Sequence, residues 1–354
     1  MSTLNIIGNG FDLYHGLPTN YYDFACYMLA TDESLYTELA EMYDFPLGLT
    51  DDHTNFLGYC IPYKYFWRDF ENKLGMLSAT WAENTLPDDL GLETPEAVTL
   101  DVSKPDKTSA LKRKLSEWIA SIDTAENFQW IKSHLNGSML SFPNEDFFVS
   151  FNYTHTLETI YCVESERILH IHGASSGLDD DDLIIGHGNE EEINWLSKKI
   201  EQQRNIPYGE YSQITRNRIS EYSFERDILE KLKKPVDLGL IRLSNFLSDK
   251  GAPDYVCTYG LSFGEVDDPY FLSIRKRYPS AKWKFSYLDK SEAIPSIRRI
   301  VHLLNLSPAQ YECFSFNNPT SNSIREDIIK QNNIVHYPKF EDSSDAPLWL
   351  RGLT

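Results

Sequence analysis

Residues 5–18 read NIIGNGFDLYHGLP, and the reading of this phrase decides the fold. The apolar run at residues 4–7 has the length of a buried strand rather than of a helix. Gly8 and Gly10 then let the backbone turn tightly and let another group come close to it. A helix opening after such a turn would aim its first N–H groups at an anion, which is how nucleotide phosphates are held. Gly-Asn-Gly is also an ordinary exit from a strand, and the stretch taken alone is explained more simply that way.

Further candidate strands lie outward from this phrase: FFVSF (147–151), RILHIH (167–172), LII (183–185), DYVCTY (254–259) and KWKFSYL (282–288). They alternate with helical stretches, which predicts an α/β protein with a mostly parallel sheet and helices on both faces. About 140 residues separate the first two strands, far more than one crossover helix requires. A helical insertion is therefore expected at 21–144. The core falls at 1–20 and 145–300, a charged helical excursion lies within it at 190–235, and an extension at 301–354 packs on the core. In the insertion, Trp67, Phe70, Leu74, Leu77 and Trp81 recur at steps of three and four, the spacing of an amphipathic helix. Glu71 interrupts that face, either as an edge residue with its tip in water or as part of a polar pocket. Leu111, Leu115, Trp118, Ile119 and Ile122 repeat the period and read as core. Residues 84–108 and 176–182 read as solvated loops.

Composition narrows the function. The 354 residues carry 53 acidic and 33 basic side chains, a net charge of −20, so no general cationic field favours nucleic acid. No stretch approaches the roughly 20 apolar residues of a membrane span, and no leader pattern opens the chain, so a cytoplasmic protein is expected. Cys26, Cys60, Cys162, Cys257 and Cys313 are odd in number and contain no CxxC pair, which argues against a disulfide framework or a cysteine zinc site. They read as reduced, buried side chains.

Three more phrases end strands on small or polar residues: SFNYTHTLE (150–158), HIHGA (170–174) and TYGLSFGEVDDPYF (258–271). In a doubly wound sheet the ligand lies outside the carboxyl ends of the strands, so Asn152, His172 and Ser262 are expected beside Gly8 and Asp12. His170 shares the face of His172. His187 in GHGN sits in a glycine-flanked loop where it either lines the pocket or does not, with Asn189 close by. His15 either faces the ligand or covers it. Asp267 reads as the cap of a helix begun by DDPYFLSI, with Pro269 in its first turn. No carboxylate or cysteine completes a metal set around the histidines, so no metal is expected.

Together these phrases resemble the sirtuin-like NAD-binding fold. The sirtuin G-A-G-x-S-x-x-x-G-[LI]-P loop corresponds in spacing to Gly8 through Pro18. The T-x-N motif corresponds to Phe151–Tyr153, H-G to His172 and Gly173, and the late G-x-S turn to Gly260–Ser262, all in the same order. The fuller wording, IGNGFDLYHGLP, W-x-D-F-E, FNYTHTLE, HIHG, GHGN and GLSFGEVDDPYF, is similar to the bacteriophage abortive-infection AbiH family over nearly the whole chain. The first resemblance implies NAD chemistry and the second antiphage defence. Carried over by residue, Gly8, Asn9, Gly10, Phe11, Asp12, Leu17, Pro18, Thr154, Gly260 and Ser262 would hold the nucleotide. His187 and Glu71 join that set where they line the pocket. Asn152 would orient water or the ribose, and His172 would act as base.

Two positions depart from the sirtuin pattern: Asp12 stands for its Ser and Thr154 for its Asp. An ionised Asp12 would repel a pyrophosphate, so it is expected to accept from ribose hydroxyls or to cap the following turn. No four-cysteine zinc module is present in the cysteine spacing, which disfavours protein deacylation. What the resemblance leaves is cleavage of the nicotinamide–ribose bond, with NAD as substrate and no metal. The alternative is an NAD or ADP-ribose sensor that signals to a partner; a nuclease is disfavoured by the acidic charge. A phage-derived trigger, a partner subunit and a homo-oligomer all remain compatible with the sequence.

Overall fold

The computed structural model describes residues 1–43, 70–77, 107–135, 139–175, 183–206, 213–317, 324, 327 and 328. Six strands, β1 (Thr3–Ile7), β2 (Phe147–Ser150), β3 (Ile168–His170), β4 (Tyr255–Tyr259), β5 (Lys282–Tyr287) and β6 (Tyr311–Ser315), form one sheet. Their order is β3-β2-β1-β4-β5-β6 and every pairing is parallel. This is the strand order of the doubly wound dinucleotide-binding sheet, with its reversal between β1 and β4.

The strands are apolar on both faces because both faces are covered. Leu4, Ile6, Phe147, Val149, Val256, Trp283 and Phe285 pack on one face against three helices, α10 (Val236–Ser248), α11 (Asp268–Arg277) and α12 (Lys290–Leu303). Leu243 and Leu247 of α10, Phe271 and Ile274 of α11, and Ile300 of α12 fill that layer. Ile7 and Phe148 face the other way, toward Phe11 of α1 (Asn9–Tyr14) and Leu157 of α7 (Thr156–Tyr161).

The chain divides into two compact units. The first comprises residues 1–23, 115–184 and 235–335, and the second residues 24–114, 185–234 and 336–354. The first holds the whole sheet, together with α6 (Ala125–His134); two of the boundaries fall within α2 (Tyr21–Thr31) and α5 (Lys107–Ile122). The second holds α3 (Glu33–Tyr43), α4 (Phe70–Lys73), α8 (Glu190–Arg204) and α9 (Gln213–Lys231). Ile193 and Leu196 of α8 pack on Leu229 of α9, the few apolar anchors of an otherwise charged pair.

Several expectations change. Residues 183–185 are not a strand: Leu183 and Ile185 are buried, but the run makes no ladder. The extension supplies β6 instead, an edge strand whose half-exposed YECFS carries no apolar alternation to read. The predicted helix over 67–81 is in its described part a single turn, Phe70–Lys73, ended at Gly75. A Cβ at Gly75 would lie 2.9 Å from the His187 ring and from Asn189 Cβ, so only glycine fits there. Trp67, Trp81 and Cys60, and the loops at 84–106 and 176–182, lie outside the described residues. Leu111, Leu115, Trp118, Ile119 and Ile122 are all buried. Cys26 and Cys257 are buried, whereas Cys162 and Cys313 are exposed. Among the described residues no helix is long and apolar enough to cross a membrane.

Candidate functional site

Parallel register places the strand ends in a row. Ile7 pairs with Ser150 and with Tyr259, and Ser150 with His170. The ladder runs one residue further, with Phe151 N–H donating to Ile7 O (2.8 Å), Ile171 N–H to Ser150 O (2.9 Å) and Gly8 N–H to Tyr259 O (2.9 Å). Asn152 and His172 therefore each stand two residues past a paired strand end, on adjacent strands.

The glycines lock two turns together. Gly10 N–H donates to Gly260 O (2.8 Å), and Gly260 N–H donates to Ser286 Oγ (2.9 Å). A Cβ on Gly8 would sit 2.8 Å from Gly260 O, one on Gly10 2.6 Å from Gly260 Cα, and one on Gly260 2.3 Å from Gly10 C. Gly260 also has φ +65°, which a side chain disfavours. The turn after β1 and the turn after β4 thus touch backbone to backbone across the point where strand order reverses. The N–H groups of Gly8, Gly10 and Gly260 are engaged within the protein, which corrects the expectation that they cradle a phosphate. Phe11 and Leu17 are likewise core residues, with Phe11 stacked on Phe316 (6.3 Å, 9°). Pro18 is buried; Asn9 and Ser262 are exposed.

Beside this lock lie two buried polar atoms with no hydrogen-bond partner, Asn152 Nδ2 and His172 Nε2. Asp267 Oδ1 approaches His172 Nε2 to 3.4 Å, without hydrogen-bond alignment. Phe151 meets the His172 ring edge to face (5.1 Å, 88°), and Tyr270 stands 6.2 Å from it. Asp267 occupies the N-cap position of α11, but its side chain caps nothing, contrary to the expectation. Its neighbour Asp268 instead takes Arg299 in a bidentate pair (2.6 and 2.9 Å). The DDP sequence signals a helix start and does not tell which carboxylate turns toward the strand ends, so Asp267 was not legible as a site residue.

Asp12 is fully buried and accepts from Thr154 Oγ1 (2.6 Å) and Thr156 Oγ1 (2.7 Å). Burial raises its pKa to about 6 against the two hydroxyl bonds. The Asn152 amide is near enough to favour the carboxylate slightly, yet Nδ2 does not reach hydrogen-bond geometry. Asp12 is neither a cap nor open to ribose hydroxyls, and Thr154 is equally occupied. The two positions that depart from the sirtuin pattern are thus bonded to each other. Thr156 escaped the sequence reading because a single threonine on a helix carries no signal.

Three other histidines, His15, His170 and His187, have both ring nitrogens bonded within the protein. His15 Nδ1 bonds Phe11 O (2.6 Å) and Nε2 bonds Tyr161 Oη (2.7 Å); burial lowers its pKa to about 4. His170 bonds Asn152 O through Nδ1 (3.1 Å) and Glu158 Oε1 through Nε2 (2.9 Å). In the second unit, His187 Nδ1 accepts from Asn189 N–H (3.0 Å) while Nε2 bonds Leu229 O (3.0 Å), and burial lowers its pKa. Neither ring nitrogen of His187 is left for a ligand. Glu71, in the same unit, pairs with Lys234 Nζ (2.6 Å), whose side chain is 1% exposed. The carboxylate is therefore the counter-ion of a buried lysine rather than an edge residue. Among the described residues no group of three or more His, Cys, Asp or Glu is arranged to hold a metal ion.

The fold and site define a doubly wound α/β protein with a histidine, an amide and a carboxylate gathered at the carboxyl end of its sheet. The family described as Bacteriophage abortive infection AbiH matches residues 4–287, and the chain belongs to that family. No curated protein and no solved structure matches the chain.

Proposed function

We propose that this AbiH-family protein acts in phage abortive infection by hydrolysing NAD at the nicotinamide–ribose bond. The observation that carries the reading is the pair of buried atoms that make no hydrogen bond, Asn152 Nδ2 and His172 Nε2, at adjacent strand ends, with Asp267 Oδ1 3.4 Å from the imidazole nitrogen. A buried polar group without a partner calls for an explanation, and at strand ends of this topology, where ligands bind, a ligand that completes the bonding supplies one. The order of the sirtuin-like phrases supports NAD as that ligand.

Nicotinamide departs with the bonding electrons, leaving oxocarbenium character on the ribose. Water adds to the anomeric carbon and passes its proton to His172 Nε2. The Asp267 carboxylate stabilises the resulting imidazolium at short range. Asn152 donates through Nδ2 to the attacking water or to a ribose hydroxyl. The products are nicotinamide, ADP-ribose and a proton.

Purified protein incubated with NAD, with and without phage lysate, should release nicotinamide detectable by chromatography. Asn152→Ala and His172→Ala should each lower turnover by at least roughly 100-fold while melting near the wild type, and the double variant should be little worse than either. Wild-type release from either folded variant would defeat the assignment. A second reading, a sensor that binds NAD without turnover, is favoured by the departures at Asp12 and Thr154, which bond to each other, because an altered loop can retain binding while losing catalysis. Tight binding with no release under any trigger selects it.

A further inference from the structure

The proposed reaction leaves the buried Asp12 carboxylate unused. Asp12 belongs to α1, directly after the glycine turn of β1, and both its oxygens reach the segment that follows β2. Thr154 and Thr156 also contact each other, with their hydroxyl oxygens 3.1 Å apart. Two residues before Thr154 stands Asn152. Its N–H donates to Ser150 Oγ (3.2 Å) and its carbonyl accepts from Ser150 Oγ (3.4 Å) and His170 Nδ1 (3.1 Å). Its side-chain nitrogen lies near the Asp12 carboxylate but makes no hydrogen bond. Asp123 holds His155, between the two threonines, through His155 N–H (2.9 Å) and Nδ1 (2.6 Å). The main chain from 152 to 156 is thus fixed at several points, and Asp12 is the anchor that ties it to the turn after β1.

We propose that Asp12 is the positioning residue of this site, clamping Thr154 and Thr156 to the β1 turn so that the Asn152 amide is presented to the ligand with no bond of its own. The proposal rests on reading Asn152 as a reacting-centre residue. It explains why a carboxylate persists where burial disfavours its charge: two acceptor oxygens on one short side chain span both hydroxyls, which a serine or alanine cannot do. Asp12 itself touches no substrate in this scheme and acts through Asn152.

The test measures nicotinamide release from NAD and, on the full-length protein, amide hydrogen exchange over residues 151–157. Asp12→Ala should lower kcat by roughly 100-fold with KM changed far less, and should speed exchange in 151–157 while β4 and β5 stay protected. Asp12→Asn keeps one acceptor oxygen and should retain at least about a tenth of the turnover and most of the protection. The double variant Thr154→Val with Thr156→Val should match Asp12→Ala, and combining them should add little, as groups acting together do. Unchanged exchange in 151–157, or wild-type kcat, in folded Asp12→Ala overturns the proposal; if that variant does not fold, the same results from the threonine double variant overturn it. If the wild-type protein releases no nicotinamide, the NAD reading fails separately. The exchange arm then decides the clamp by itself, in either direction.

Discussion

Asp12 in α1 and His15 at its C-cap pull stability in opposite directions with pH. The Asp12 carboxyl titrates at about 6 in the fold against 3.8 as a free side chain. Between those values the folded state holds the proton more tightly, so this group's contribution falls as pH rises from about 4 to about 6, by about 3 kcal/mol. His15 is lowered from 6.5 to about 4, so the unfolded state takes its proton first and stability rises with pH over nearly the same window. The two slopes largely cancel in the wild type. Urea unfolding at intervals from pH 4 to 7 should therefore show a steeper rise with pH in Asp12→Asn than in the wild type. Parallel curves would mean that the Asp12 carboxyl titrates alike in the folded and the unfolded chain. The sequence made Asp12 visible as a departure from a pattern, but not its partner: that Thr154 departs at the matching place became meaningful only when the two were found 2.6 Å apart.

At the scale of elements, the contact between the two glycine turns governs the sheet's carboxyl end. Gly10→Ala would drive a Cβ into the Gly260 backbone, which cannot swing aside like a side chain. A loss of about 3 kcal/mol is expected, at the upper end for overpacking, read from chemical denaturation. Gly264→Ala, nearby, meets only an Asp267 oxygen at 3.9 Å and has φ −58°, so it should be neutral or stabilise slightly by restricting the unfolded chain. Equal effects from the two would refute the interlock. Five of the six strands were legible, four of them central and one, β3, at an edge, because each lies in an apolar run bounded by turn residues. β6 was not, since an edge strand exposed to water need not be apolar. Residues 183–185 misled for the reverse reason: they are apolar because Leu183 and Ile185 are buried, whatever their backbone pairing. Asn152 and His172 were legible as strand-end polar residues, whereas Asp267 reaches His172 through a loop whose path no local pattern encodes.

For the molecule as a whole, the second unit has its own vulnerable point. The Glu71 carboxylate is 21% exposed but neutralises the buried Lys234 ammonium, so Glu71→Gln should destabilise by on the order of 2 kcal/mol, discounted from the value for a fully buried pair. Calorimetry should show a lowered transition; an unchanged one would mean that the carboxylate does not support the lysine. Sequence spacing alone placed Glu71 on a helix stripe, and its partner 163 positions away could not be inferred from it. Turnover, if found, is expected to survive exhaustive chelation, and recovery by an added divalent ion after loss would overturn the scheme for His172 and Asn152. The position of β1 in the sheet has a consequence for biosynthesis. Of the six strands of the sheet, Thr3 to Ile7 is synthesised first, yet one neighbour begins at Phe147 and the other at Tyr255. At roughly 5–20 residues per second, translation leaves the central strand without its second partner for on the order of ten seconds or more. During that interval Leu4, Ile6 and Ile7 expose apolar surface that the finished sheet covers, so chains cut short before Tyr255 should aggregate more readily than the full chain.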